Sequence, residues 1–161
     1  MKKSNLIIIF ALLIVIAAFI LFGFQSLTHN PVQQINNNLP QAKITINQKT
    51  FDVWLAKTDA EHEHGLSGWQ KLQDNQGMLF IFNKPSIQSF WMKDMNFDLD
   101  IIFISDNKIT EIAKYLPAPR FIEWPATYIT TQPADQVLEV NAGTADSLNW
   151  KIGDKILYQS N

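Results

Sequence analysis

Residues 77–82 read GMLFIF. A six-residue apolar run that ends in the turn signal Asn83-Lys84-Pro85-Ser86 reads as a strand buried on both faces, central in a barrel or sandwich. Working outward, short strands recur at both sides. Residues 43–47 and 50–57 alternate apolar and polar around Asn47-Gln48-Lys49 and predict a hairpin, with Phe51, Val53 and Leu55 on one face and Asp52, Trp54 and Ala56 on the other. Thr58-Asp59-Ala60-Glu61 has the form of a capping box, so a short helix should follow and stop at Gly65.

Downstream, strands are expected at 88–92, 97–104, 108–115, 137–141 and 155–158, with one or two helical turns over 143–148. The tetrapeptide 93–96 is read as a tight turn that folds 88–92 onto 97–104. Residues 116–133 carry Pro117, Pro119, Pro125 and Pro133 and form a long irregular loop, a cover over the core or a functional segment. The fold class expected is mostly β with some α (α+β): a compact antiparallel or mixed β barrel or sandwich with two short helices.

The N-terminal part is different. Residues 6–24, LIIIFALLIVIAAFILFGF, form an unbroken uncharged run. At about 1.5 Å per residue it spans roughly 28 Å, close to a bilayer core of about 30 Å, so it reads as an uncleaved transmembrane signal-anchor in contact with the lipid bilayer. Lys2 and Lys3 precede it and Lys43 is the next cation, which places residues 1–5 in the cytoplasm and the remainder outside. A cleaved signal would give a secreted protein instead. Residues 25–41 are rich in Asn and Gln and lack Lys, Arg, Asp and Glu, as suits a flexible linker. Residues 42–161 then make one extracytoplasmic domain.

Composition narrows the function. The chain has 161 residues, no cysteine and a net charge of −2. Disulfides, thiolate nucleophiles, zinc–thiolate sites and iron–sulfur clusters are excluded. Without Lys2 and Lys3, 11 Lys and Arg face 15 Asp and Glu, so the exported part carries about −4 and offers no basic surface for nucleic acid. There is no G-x-S-x-G, no Walker loop and no G-x-G-x-x-G, and no cofactor is expected. Glu61-His62-Glu63-His64 mimics a metal motif, but residues i and i+2 on a helix point about 200° apart and cannot share an ion, so it reads as a solvated helix face.

The most suggestive cluster lies in residues 90–100, FWMKDMNFDLD. Folded as a hairpin about 93–96, it sets Trp91 opposite Asp98 and places Trp91, Lys93, Asp98 and Asp100 on one face. An indole beside carboxylates and an ammonium suits a glycan, an aromatic or a cationic small molecule. Arg120 and Trp124, in the Pro-rich loop, are further candidates for that site, Arg120 as an anchor for an anionic group. The primary expectation is a noncatalytic ligand-binding or protein-interaction module. The alternative is a cell-envelope hydrolase using Asp98 and Asp100 as a carboxylate pair.

Four segments in order carry a family resemblance: Gly65-Leu66-Ser67-Gly68; Gly77-Met78-Leu79-Phe80; Phe90-Trp91-Met92-Lys93 followed by Leu99-Asp100-Ile101-Ile102-Phe103; and Val137-Leu138-Glu139-Val140-Asn141-Ala142-Gly143 followed by Gly153-Asp154. Over about residues 43–158 the chain resembles the domain-of-unknown-function family 192. The resemblance implies a small β-rich fold with short helices, often exported or membrane-anchored, and brings no catalytic residue or cofactor. The chain departs from the pattern at Ser67-Gly68-Trp69, where relatives tend to place Met and a basic residue, and it lacks the cysteine that some carry in the Pro-rich loop.

Overall fold

The computed structural model describes residues 39–120 and 124–159, within a unit spanning Asn38–Asn161. The expected cytoplasmic stub, the 6–24 anchor and most of the linker lie outside the described residues. Among the described residues no helix is long and apolar enough to cross a membrane.

In chain order the elements are β1 Gln41–Ile46, β2 Lys49–Ala56, α1 Asp59–His64, β3 Gln76–Ser86, β4 Ser89–Trp91, β5 Leu99–Ser105, β6 Lys108–Leu116, β7 Thr127–Ile129, β8 Ala134–Asn141, α2 Thr144–Ser147 and β9 Ile156–Gln159. Seven strands form one sheet in the order β6-β5-β8-β3-β2-β1-β9, and β4 pairs with β7 in a separate ribbon. The GMLFIF run lies in β3, the middle strand. It is antiparallel to β8 and parallel to β2, with α1 in the crossover. The sheet curls into a half-barrel whose two edge strands meet at one end. There the Ile109 amide donates to the Asp154 carbonyl and the Ile156 amide to the Asn107 carbonyl, each at 2.9 Å. The expected mostly-β architecture with two short helices is what the described residues form.

Curling gives the sheet two buried faces. The inner one packs Ile44, Phe51, Val53, Leu79, Ile102, Leu138, Val140 and Ile156, and Trp150 and Ala145 of the α2 region close one end. The outer one packs Met78, Phe80, Ile101, Phe103 and Val137 beneath Leu66, Phe90, Met92 and Met95. A cover layer of α1, the 65–75 segment and the β4–β7 ribbon thus turns the outer wall of the barrel into a second core. Strands β3, β5 and β8 carry apolar side chains on both sides because both sides are buried, Asp100 of β5 and Glu139 of β8 being buried acids among them, and each large apolar side chain so placed contributes about 1.5–3 kcal/mol.

The hairpin expected about 93–96 does not form. β5 pairs with β6 and β8, and β4 pairs with β7, Phe90 opposite Tyr128 and Trp91 opposite Thr127. The turn is claimed by the cover layer instead. Asp94 adopts φ 57°, its carbonyl accepts from the Gly68 amide at 2.9 Å, and the Ser67 hydroxyl donates to the Lys93 carbonyl at 2.9 Å. The Asn96 side chain donates to the Trp69 carbonyl at 2.8 Å. The long Pro-rich segment is accordingly not wholly irregular, since β7 lies within it.

Candidate functional site

The strongest chemical feature is a carboxyl group in the outer core. β8 enters that core with Val137 and Glu139 on one face, and Glu139 is only 5% exposed. Its backbone neighbours are Met78 of β3 and Ile101 of β5. Among the described residues no hydrogen bond reaches its side chain, and burial alone pushes its pKa up to about 8. At neutral pH Glu139 is therefore held as a neutral carboxylic acid.

Glu139 is not sealed in. It floors a narrow cavity of about 20 Å³, room for one water-sized group, which opens beside Trp91. Phe80 and Phe90 form one wall, packed edge to face at 5.0 Å, and Met95 and Leu66 complete the apolar lining. The C-terminal end of α1 supplies His62, Glu63 and His64, and the chain beyond it Gly65 and Ser67. Nε2 of His64 is buried and has no hydrogen-bond partner among the described residues. Glu139, whose carboxyl takes no hydrogen bond among the described residues, and His64, whose buried Nε2 takes none either, thus line one cavity.

The sequence around the cavity explains its shape. Thr58 and Glu61 form the expected capping box, the Thr58 side chain accepting from the Glu61 amide and the Glu61 carboxylate from the Thr58 amide. The Lys57 amide donates to the Glu61 carboxylate as well, at 2.7 Å, and the two amides, Lys57 first, hold Glu61 below the usual carboxylate range. His62 is not solvated as the helix-face reading expects. It packs on Phe82 with ring centroids 4.4 Å apart and bonds the Ala56 carbonyl at 3.1 Å. Gly65 ends the helix at φ 50°, and a Cβ there would sit 3.2 Å from Phe80. The chain reverses tightly against the aromatic wall, where glycine alone is unstrained.

Of the residues singled out from sequence, Trp91 lines the cavity mouth. It is 48% exposed, with Lys93 Nζ 5.0 Å from its ring centroid. The acids are elsewhere. Asp100 faces the inner core, fully buried, and accepts from the Tyr115 amide at 3.0 Å and the Ala145 amide at 2.9 Å. Asp98 is exposed, and its carboxylate accepts from the Ala118 amide at 2.8 Å. The structure therefore does not bring Asp98 and Asp100 onto the Trp91 face. Arg120 is exposed, and Trp124, 95% exposed, projects from the Pro-rich segment. Among the described residues no three His, Asp or Glu gather to hold a metal. Sequence reasoning missed Glu139 and His64. The available signal was a lone acid inside the apolar strand Val137-Leu138-Glu139-Val140.

The comparisons agree with this fold. A model of the family DUF192, described as an uncharacterized ACR, matches residues 42–158. A Novosphingobium aromaticivorans DSM 12444 protein of unknown function is 33% identical, with a TM-score of 0.67, over 74% of this chain and 86% of that one. A candidate transcription regulator from Sinorhizobium meliloti 1021 is 28% identical, again with a TM-score of 0.67, over 74% of this chain and 95% of that one. No curated protein matches. On the extent of the family match and the likeness to the first of these structures, the chain belongs to the DUF192 family.

Proposed function

We propose that this domain is a noncatalytic binding module whose ligand places a small polar group against Glu139, with Trp91 flanking the rest. The observation that supports this reading is the buried, unpartnered carboxyl of Glu139 at the floor of a cavity that opens to solvent at an aromatic rim. A rigid sheet carries the carboxyl and a capped helix carries His64, so the site is preorganised. The uncharged run 6–24 supports placing the module outside a membrane and tethered to it, where envelope glycans and small metabolites are at hand. The hydrolase reading finds no support, since both acids it needs are engaged by backbone amides and stand apart from the Trp91 face.

The test is a thermal-shift and tryptophan-fluorescence screen of the full chain against neutral sugars, amines and small acids. A ligand that raises the melting temperature, and loses that effect in Trp91→Ala and Glu139→Gln, supports the reading. A screen in which every stabilising ligand acts equally on both variants contradicts it.

A further inference from the structure

We infer that the cavity is built for the head of a primary ammonium ion, so that the ligand class of the proposed site is a primary alkylamine or amino sugar. The inference rests on the binding role proposed above and narrows it.

Three features of the cavity point the same way. First is size: a volume of about 20 Å³ admits a group no larger than water, and a primary ammonium has that size. Guanidinium and quaternary ammonium groups are larger, and a sugar ring can only remain outside. Second is charge. The lining contains Glu139 and Glu63 and no Lys or Arg. Lys93, which is not among the lining residues, sits over the Trp91 ring. Third is hydrogen-bonding chemistry. An ammonium brings three donors and no acceptor, and the cavity is lined by the Glu139 carboxyl and by His64, whose buried Nε2 has no partner among the described residues and accepts when the proton sits on Nδ1. Phe80, Phe90 and Trp91 add aromatic surface to the lining beside a bound cation.

Binding must move one proton. The neutral acid cannot neutralise an ammonium, so the Glu139 proton leaves to solvent as the cation enters, and the carboxylate–ammonium pair replaces the buried acid. The other titratable groups on the cavity are His62, Glu63 and His64 of α1, while the strand neighbours of Glu139 are the apolar Met78 of β3 and Ile101 of β5. Burial pushes Glu139 up to about 8, so ammonium affinity should rise close to tenfold per pH unit between about pH 6 and about pH 8.

The experiment is calorimetric titration of the full chain with n-propylammonium and with its neutral isostere 1-propanol, in two buffers of different ionisation enthalpy. Binding of n-propylammonium at least tenfold tighter than 1-propanol, with about one proton released and at least tenfold weakening in Glu139→Gln, supports the inference. If Glu139→Gln fails to fold, His64→Leu replaces it and the same weakening is expected. Equal binding of the two probes overturns the ammonium inference and leaves a binding site in place. Binding of a neutral sugar, abolished by Glu139→Gln, with none of n-propylammonium does the same. Absence of any binding sensitive to Glu139, His64 or Trp91 overturns the inference and the binding role together.

Discussion

Asp100 and Ala145 are joined by a buried hydrogen bond: the Ala145 amide donates to Asp100 Oδ2 at 2.9 Å, while Oδ1 takes the Tyr115 amide at 3.0 Å. One carboxylate on β5 thus anchors α2 and the end of β6, where Tyr115 is held at φ 55°. Asp100→Ala would strand two amides and should cost roughly 2–4 kcal/mol. Asp100→Asn keeps one acceptor oxygen and should cost less. Urea unfolding with an unchanged m-value checks both. If Asp100→Ala leaves stability intact, its anchoring role is wrong.

Stability should depend on pH in a direction that Glu139 fixes. Its folded pKa, about 8, lies above the ordinary 4.5, so the folded state holds the extra proton between those values. Stability is therefore greatest at the acid end of that window, falls as pH rises through it, and levels off above about pH 8. Glu139→Gln should abolish the slope, and its advantage over the parent should grow with pH. Glu61 acts in the opposite sense. Its pKa is depressed, so its contribution is lost only as pH falls below the ordinary carboxylate range. Chemical unfolding at several pH values separates the two.

Gly77 sets how closely β3 approaches Glu139. A Cβ there would lie 2.7 Å from the Glu139 carbonyl oxygen and 3.1 Å from Leu138. Gly77→Ala must push β8 away and should cost about 1–3 kcal/mol. Because the displaced residue is Glu139 itself, ligand-induced fluorescence change should weaken along with the melting temperature. A loss of stability with ligand affinity unchanged would detach the strand spacing from the site.

Thr58→Ala removes the side-chain half of the capping box and should cost about 1 kcal/mol. The effect should be local, with faster amide exchange over α1 and a lower affinity at the cavity whose His64 that helix positions. Hydrogen exchange confined to 59–65 is the expected pattern. Exchange that rises uniformly across the sheet would show that α1 does not fray independently.

Local features were legible in the sequence. The capping box, the Gly65 stop, the turn at Asn47-Gln48 and the burial of β3 all follow from patterns of a few residues. Pairing over distance was not. The 93–96 turn resembles a hairpin turn, yet its polar groups bond the 66–69 segment, and β4 finds its partner in β7, a three-residue strand hidden among prolines. That single misassignment carried Asp98 and Asp100 onto the Trp91 face. Glu139 was overlooked for a related reason. An acid within an apolar strand is alternately a surface residue or a buried one, and only the cover layer, assembled from α1, 65–75 and β4, decides which.

The most direct test follows the carboxyl carbon of Glu139 itself by 13C NMR, titrated from about pH 4 to about pH 10 with and without n-propylammonium. The account predicts a midpoint near 8 in the free protein, moving to lower pH as the amine is added. A carbon that titrates near the ordinary 4.5, or one that ignores the amine throughout, would contradict it.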